Sequence, residues 1–460
     1  MEKIRQIFKD MFDDRDFYHK MLKIALPIVI QNFISSFLNM MDIVMVGKLG
    51  ETAIAAVGIA NQYFFFFNMF LLGMCAGCGV FISQFWGKGE IKNIKRIMGI
   101  GLISAVVFSV VFMVTGFLFP GKIIAAFNND PKVIDLGAGY LRMVLVSYLF
   151  TSITFVFNFS LRSIGKTVQP MIISAVAIIC NVFFNYVFIF GKLGAPAMGV
   201  VGSALGTVIA RTFETIALVV YIYGTKTVLA ASTKELTDVS FEFVKKSYRV
   251  IFPVILNDIC WGLASLVYSA VYGRMGTQTV AAIQICNTVN NLFLVAIFGL
   301  SSAAAVMVGN SIGAGKEGLG KNYARRFSIL GVMLGVVLGL LLAVTSPAVL
   351  NVFNVSDKVR SDSQIVLYII SVIFFIRVFD VILIVGILRG GGDAKQAFLI
   401  EGFTMWFIGV PLTILGAFVF KLPVYGVYAL AILEEVSKCI LGLIRLKSGR
   451  WIRNVTHNMA

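Results

Sequence analysis

Apolar residues along this chain come in long blocks rather than in alternating strands or one-sided helical stripes. Twelve such blocks, bounded by charged or Gly/Pro-rich breaks, cover 23–46, 53–84, 97–119, 136–160, 168–190, 199–223, 247–272, 279–311, 327–350, 364–388, 397–420 and 424–444. An apolar run of about 20 residues is what an α-helix needs to cross the hydrocarbon core of a bilayer. The pattern predicts an all-α membrane protein with twelve transmembrane helices. The charges between the blocks then set their direction. With both termini inside, the inner segments hold 27 Lys and Arg and the outer loops 8, namely Lys48, Lys122, Lys132, Lys192, Arg274, Lys358, Arg360 and Lys421. That asymmetry obeys the positive-inside rule loop by loop.

The second half of the chain repeats the first. LPIVIQNF and VGKLGETAIAAVGIANQ match FPVILNDI and YGRMGTQTVAAIQICNT at a constant shift of 226 residues, which pairs Pro27 with Pro253, Gly47 with Gly273, Gly50 with Gly276, Asn61 with Asn287, Gly73 with Gly299 and Gly89 with Gly315. Further on, a shift of 227 pairs Arg162 with Arg389, Gly165 with Gly392, Gln169 with Gln396 and Gly199 with Gly426. Six spans separate the copies, an even number, so they are parallel repeats related by an axis along the membrane normal. The expected organisation is an N-terminal segment 1–22, a first lobe 23–223, a linker 224–246, a second lobe 247–446 and a tail 447–460. Two like bundles suit rocking motions around a mid-membrane site between or within the halves.

Composition agrees: 58% of the 460 residues are hydrophobic, 13% are charged, and the mean hydropathy is +0.90. A soluble fold is about 25% charged and could not bury this apolar surplus. The net charge of +16 sits in loops on one membrane face, so it implies no nucleic-acid partner. The six cysteines lie inside apolar stretches, which is no disulfide framework. Cys75 and Cys78 form C-x-x-C within LLGMCAGCGV, where helix packing is the expected role rather than redox chemistry. The first apolar run follows a mixed-charge segment and reads as an uncleaved helix. Histidine-based metal or acid–base chemistry in the membrane is excluded, since His19 and His457 lie near the termini. The GKT at 165–167 lacks the leading glycine of a phosphate loop, with Ser160 in its place, so ATP hydrolysis is excluded too.

Ionisable side chains within spans are costly and mark function. Here they are Asp42, Arg211, Glu214, Asp258, Arg377, Asp380, Glu401, Glu434 and Glu435. Asp42 offers a carboxylate to a cation, with Asn39 one turn before it. Asn181 and Asn185 share one face of the fifth span at i, i+4 and offer carbonyl oxygens, against an alternative as interhelical glue. Arg377 with Asp380 and Arg211 with Glu214 have the i, i+3 spacing of ion pairs. Gln284, Asn287 and Asn291 make a polar stripe on the eighth span and, with Asn39 and Asp380, are the candidates for a substrate cavity; helix packing is the competing reading of the stripe. The aromatic run YFFFFNMF at 63–70 is expected to be mostly lipid contact.

Pro27 with MDIVMVGKLGETAIAAVGIANQ, then QFWGKGE, LRSIGKTVQP, NVFFNYVFIFG, GVVGSALGT and the second-half ILRGGGDAKQ together resemble the multidrug and toxic compound extrusion (MATE) family over essentially the whole chain. The resemblance implies twelve helices in two lobes and export of mostly cationic, amphiphilic compounds by antiport with sodium ions or protons. It implies a plasma or inner membrane location, a monomeric exporter with organic cations and the lipid bilayer as its partners, and no cofactor beyond the coupling ion. Archaeal members have a cation site made by an Asp of the first span, an Asn and an Asp on the fifth and a Thr on the sixth, positions that correspond to Asp42, Asn181, Asn185 and Thr207. Sodium would sit at Asp42, Asn181 and Asn185. Asn185 departs from that pattern, since the subgroup has a carboxylate there. Other members use a Glu on the seventh span, eight residues after its proline, and an Asp on the tenth. Here Trp261 holds the former position, Asp258 lies one turn earlier as a substitute cation ligand, and Asp380 is displaced by two residues. A lipid-linked saccharide flippase of the same superfamily is the alternative, disfavoured because only Arg142, Arg211, Arg377 and Lys438 lie within spans to hold a pyrophosphate. A membrane enzyme is the remaining, weaker reading.

Overall fold

A computed structural model of the chain describes residues 14–351, 353, 355–457 and 459, leaving aside the side chains of Leu38 and Asn39. Most of the expected N-terminal segment 1–22 therefore lies outside the described residues. Eleven helices are long and apolar enough to cross a membrane: α1 Arg15–Gly47, α2 Glu51–Lys88, α3 Ile91–Leu118, α4 Pro131–Ser163, α5 Val168–Phe190, α6 Gly199–Gly224, α7 Phe241–Met275, α8 Thr277–Gly313, α9 Glu317–Leu350, α10 Asp357–Leu388 and α11 Ala394–Val419. The twelfth, α12, runs over 424–447 in two pieces, Val424–Ala431 and Leu433–Lys447, that meet at Ile432. The twelve-helix pattern read from the sequence is the pattern of the fold.

The helices outrun the apolar blocks at several ends, because capping chemistry rather than hydropathy stops them. Asp130 accepts the Lys132 N–H and Pro131 opens α4 five residues before its apolar block; Ser356 accepts the Val359 N–H and starts α10 seven residues early. Hydropathy also misses two short helices, Pro120–Ala125 and Thr233–Thr237. It is blind as well to three π-helical stretches, Ile382–Leu388, Met405–Gly409 and Leu415–Val419, in which the hydrogen-bonded ring widens without any change in apolarity. The repeat is visible in the turns. Gly50 and its partner Gly276 have φ of +105° and +121°, and Gly89 and Gly315 have +80° and +73°, backbone that side chains with a Cβ rarely adopt.

The chain divides into two compact units. One comprises 30–86 and 90–251; the other comprises 87–89, 252–460 and the residues up to Val29. These limits differ from the repeat limits, since the first helix of each repeat is divided. Phe17, Ile24 and Ile28 of α1 belong to the apolar core formed by α8, α9 and α10, and Gly299 of α8 meets the Ala25 backbone closely. In the other unit Gly77 of α2 lies so close to Ile251 that a Cβ would sit 2.8 Å from its Cα, and Ser104 of α3 bonds Tyr248 of α7 at 2.6 Å. In the second unit, Gly339 of α9 approaches the Ser371 carbonyl of α10, small residues bringing helix backbones together where lipid offers no hydrophobic drive.

The aromatic run of α2 does not face lipid as expected. Phe67 is fully buried and stacks on Tyr148 of α4 at 4.6 Å, while Phe70 stacks on Phe108 of α3 at 3.4 Å. Ring pairs of this kind add about 0.5–1.5 kcal/mol beyond the area they bury, which favours the interior. Cys75 and Cys78 are buried free thiols in helix contacts.

Two polar devices close the ends of the units. The linker helix Thr233–Thr237 has a complete capping box between Ser232 and Glu235 and docks on the start of α3, where Gly99 leaves room for the Leu236 carbonyl. Lys95 and the Ser232 backbone hold the Glu235 carboxyl below the usual carboxylate range, and Arg96 and Lys92 do the same to Asp238. At the other end the tail returns to the α10–α11 turn. Trp451, 2% exposed, lies on Gly391, the Arg453 N–H donates to the Gly391 carbonyl at 2.8 Å, and Asp393 takes Arg445 at 2.6 Å and Arg453 at 3.2 Å.

Candidate functional site

The first unit gathers four of the sequence-predicted residues into one chain of contacts. Gly202 of α6 sits 2.5 Å, by its would-be Cβ, from the Phe188 carbonyl of α5, and Gly206 leaves just enough space for the Asn185 amide. This close crossing presses the Asn181/Asn185 face of α5 between α1 and α6. Asn185 is fully buried, and its Nδ2 donates to Asp42 Oδ1 at 2.7 Å and to Asn181 Oδ1 at 3.2 Å. Asn181 donates in turn to Thr207 Oγ1 at 3.4 Å, and the Thr207 hydroxyl donates to the Ser203 carbonyl. The Asn185 Oδ1 is buried without a hydrogen-bond partner among the described residues. The site thus collects one carboxylate, two amide oxygens and a hydroxyl, the hard oxygen donors that an alkali cation takes.

Beneath it runs a second network that the sequence announced only in part. Arg211 and Glu214 pair at 2.8 Å, as their spacing predicted. Glu214 also accepts from Ser174 at 2.7 Å, Ser174 accepts from Gln31 at 2.7 Å, and Arg162 donates to Gln31 at 2.6 Å. The side chain of Asn39 lies outside the described residues.

In the second unit the expectations fare differently. Asp258 does not stand free for a cation; Arg389, 5% exposed, donates to it at 2.7 Å. The Arg377–Asp380 pair does not form. Arg377 turns instead to Glu435 at 3.4 Å and to Asn290 at 3.2 Å, because α12 brings a carboxylate within reach that the i, i+3 rule cannot see. Asp380 is 2% exposed beside Glu435. Gln284, Asn287 and Asn291 share an exposed face of α8, whereas Asn290 is buried.

Sequence reasoning assigned no role to the residues that fill the interior of this unit. Lys438 lies 2.9 Å from Glu434, 3.7 Å from Glu435 and 3.9 Å from Glu401; Tyr268 donates to Glu434 at 2.7 Å and Asn257 to Glu401 at 2.7 Å. The internal repeat held the signal. Under its own shifts Asp42 meets Tyr268, Thr207 meets Glu434, Arg211 meets Lys438, Gln31 meets Asn257 and Ser174 meets Glu401. Each repeat thus builds a polar centre at equivalent places, with the carboxylate on the first helix in one and on the last helix in the other.

With this geometry in view, comparison with known proteins identifies the chain. Residues 27–187 and 253–415 each match the family model MatE, one match per repeat. The chain belongs to the MatE family. It is 25% identical over 94% of its length to a probable multidrug resistance protein NorM of Thermotoga maritima, of which 92% is covered. It is 26% identical to the uncharacterised transporter YisQ of Bacillus subtilis, over 93% of each chain. Multidrug resistance protein MdtK of Yersinia enterocolitica is 24% identical over 85% of this chain and 86% of that one. The fold is that of a crystal structure of MATE in the bent conformation, with TM-score 0.86 and 18% identity over 95% and 96% of the two chains. A MOP superfamily transporter from Pyrococcus furiosus gives TM-score 0.84 at 18% identity over 94% and 96%. This MatE protein is a multi-pass membrane transporter.

Proposed function

We propose that this MatE protein is a secondary active multidrug exporter that moves organic cations out of the cell against an inward flow of sodium ions or protons. The reading places it in the plasma membrane with both termini in the cytoplasm, as the basic loops demand, and has it work as a monomer without a cofactor. The names of its relatives, several of them multidrug resistance proteins, support the substrate class. The observation that carries the coupling is the amide of Asn185 on the carboxylate of Asp42.

That amide gives the site two arrangements. With Nδ2 toward Asp42 the carboxylate is satisfied by a neutral donor, while Oδ1 is left buried and unpaired, a standing cost of about 1–3 kcal/mol. Turned over, the amide would set Oδ1 against the carboxyl, which is repulsive unless a sodium ion or a proton lies between them. Binding of the ion therefore selects the turned state, and only such a difference in affinity lets an ion shift a conformational equilibrium. The fully buried Asn185 lies in the α5–α6 contact, so the rearrangement bears on helix packing as well as on the ion.

The test is efflux of a fluorescent cationic dye from everted vesicles under a sodium gradient and a proton gradient imposed separately. Movement with one gradient establishes antiport and names the ion. Movement with neither removes antiport and leaves the flippase with a lipid-linked substrate.

A further inference from the structure

The polar centre of the second unit holds more carboxyl groups than it can keep charged. Asp380 of α10, Glu401 of α11 and Glu434 and Glu435 of α12 face two cations, Arg377 and Lys438. The nearby Asp258–Arg389 pair is self-balanced. Four carboxylates against two cations leave two negative charges without compensation in a membrane interior, where an isolated charge is far costlier than a bound proton. Three of the four have donors. Glu401 takes Asn257 and Lys438, Glu434 takes Tyr268 and Lys438, and Glu435 takes Arg377 and Lys438. Asp380 has none: it is 2% exposed, and among the described residues no donor reaches either of its oxygens. Its hydrogen-bonding neighbour is another carboxyl, Glu435. Two carboxyls can be joined by a hydrogen bond only when one of them carries a proton.

We propose that the second unit of this protein binds a proton between Asp380 and Glu435, with the Lys438 ammonium occupying the position a metal cation would take. Lys438 comes from the same helix turn as Glu434 and Glu435, so it is a tethered cation that cannot be exchanged for sodium. The equivalent residue in the first repeat, Arg211, instead pairs with Glu214 one turn on, beside the oxygen-rich Asp42 site. The two repeats have thereby separated: one centre presents hard oxygen donors, the other a carboxyl pair already furnished with its ammonium. The remaining groups around the pair do not supply a competing charge. Tyr428 and Cys439 of α12 and Cys286 of α8 are neutral, and Asn290 serves Arg377.

Infrared difference spectroscopy of the purified full chain in nanodiscs reads the proton directly, as the C=O stretch of a protonated carboxyl. This measures no transport, so it fails separately from the export reading. The wild-type protein at pH 7 shows a protonated-carboxyl band that Asp380→Asn and Glu435→Gln each remove, while Glu434→Gln leaves it. Lys438→Met adds a second such band, because one more carboxyl must then be neutralised. Sodium added to the wild type at fixed pH leaves the band in place. A wild type without the band, a band retained in both Asp380→Asn and Glu435→Gln, or a band removed by sodium each overturns the proposal. The wild-type and sodium measurements decide even if a variant fails to fold.

Discussion

Breaking the Asp258–Arg389 pair from one side and from both distinguishes an ion pair from a cation site. The Arg389 Nη2 lies 2.7 Å from Asp258 Oδ1, with side chains 7% and 19% exposed. Charge centres about 4 Å apart at an effective dielectric near 20 attract by about 4 kcal/mol before desolvation is subtracted. Removing one partner leaves the other as a lone charge inside the bundle, which costs about 3 kcal/mol in either direction. Asp258→Asn and Arg389→Met should each destabilise by about that amount, and the double variant by roughly 1–2 kcal/mol, a coupling energy of at least about 3 kcal/mol. Equilibrium unfolding in mixed micelles, run on all four proteins, gives the cycle. Additive losses, with the double variant near 6 kcal/mol, would refute the claim that the two charges serve one another. Gradient-driven efflux by the double variant adds the functional half. It should persist, and a double variant that is stable but cannot couple would return Asp258 to the cation-binding role its position suggested.

Three further outcomes follow from the geometry. Asp42→Asn should leave the fold intact, since Asn185 can bond an amide as well as a carboxylate, yet abolish gradient-driven dye efflux; unchanged efflux would remove the first-unit site. Trp451→Ala should lower stability by about 3–5 kcal/mol, read as a fall in thermal unfolding temperature, because the ring is buried against Gly391; an unaltered temperature would mean that the tail does not hold the α10–α11 turn. Docking of the linker helix should depend on pH in one direction. Glu235 and Asp238 are held below their ordinary range by Lys95, Arg96 and Lys92, so the pairing is fully present above the ordinary carboxylate range and fades as pH falls through the depressed folded values. Amide hydrogen exchange of 233–238, corrected for its intrinsic pH dependence, should stay slow at neutral and mildly acid pH and speed up only below that range. Faster exchange on going from neutral to alkaline pH would contradict the pairing.

What the sequence determined by itself was everything that depends on periodicity and on the bilayer as solvent. Twelve apolar blocks of spanning length, the basic loops and the shift of 226 residues are properties of the chain read in order. They fix a duplicated twelve-helix membrane fold, because no other backbone satisfies its own hydrogen bonds in lipid. The first-unit site was legible for a related reason: Asp42, Asn181, Asn185 and Thr207 sit on single helix faces, where spacing predicts neighbours. Helix limits were less legible, since caps such as Asp130 and Ser356 act through one side-chain bond rather than through hydropathy.

Only the tertiary structure decided the partners of charges carried by different helices. The i, i+3 rule joined Arg211 to Glu214 correctly and Arg377 to Asp380 wrongly, because a residue on α12 competes for Arg377 and chain order does not reveal it. For the same reason Asp258 read as a free ligand until Arg389, 131 residues away, was seen beside it. The burial of the α2 aromatics against α3 and α4, and the division of α1 between two cores, likewise depend on contacts between helices. Spacing along one helix is fixed by covalent geometry, whereas spacing between helices is set by small-residue approaches such as Gly202 on Phe188, whose consequences appear only once the bundle is packed.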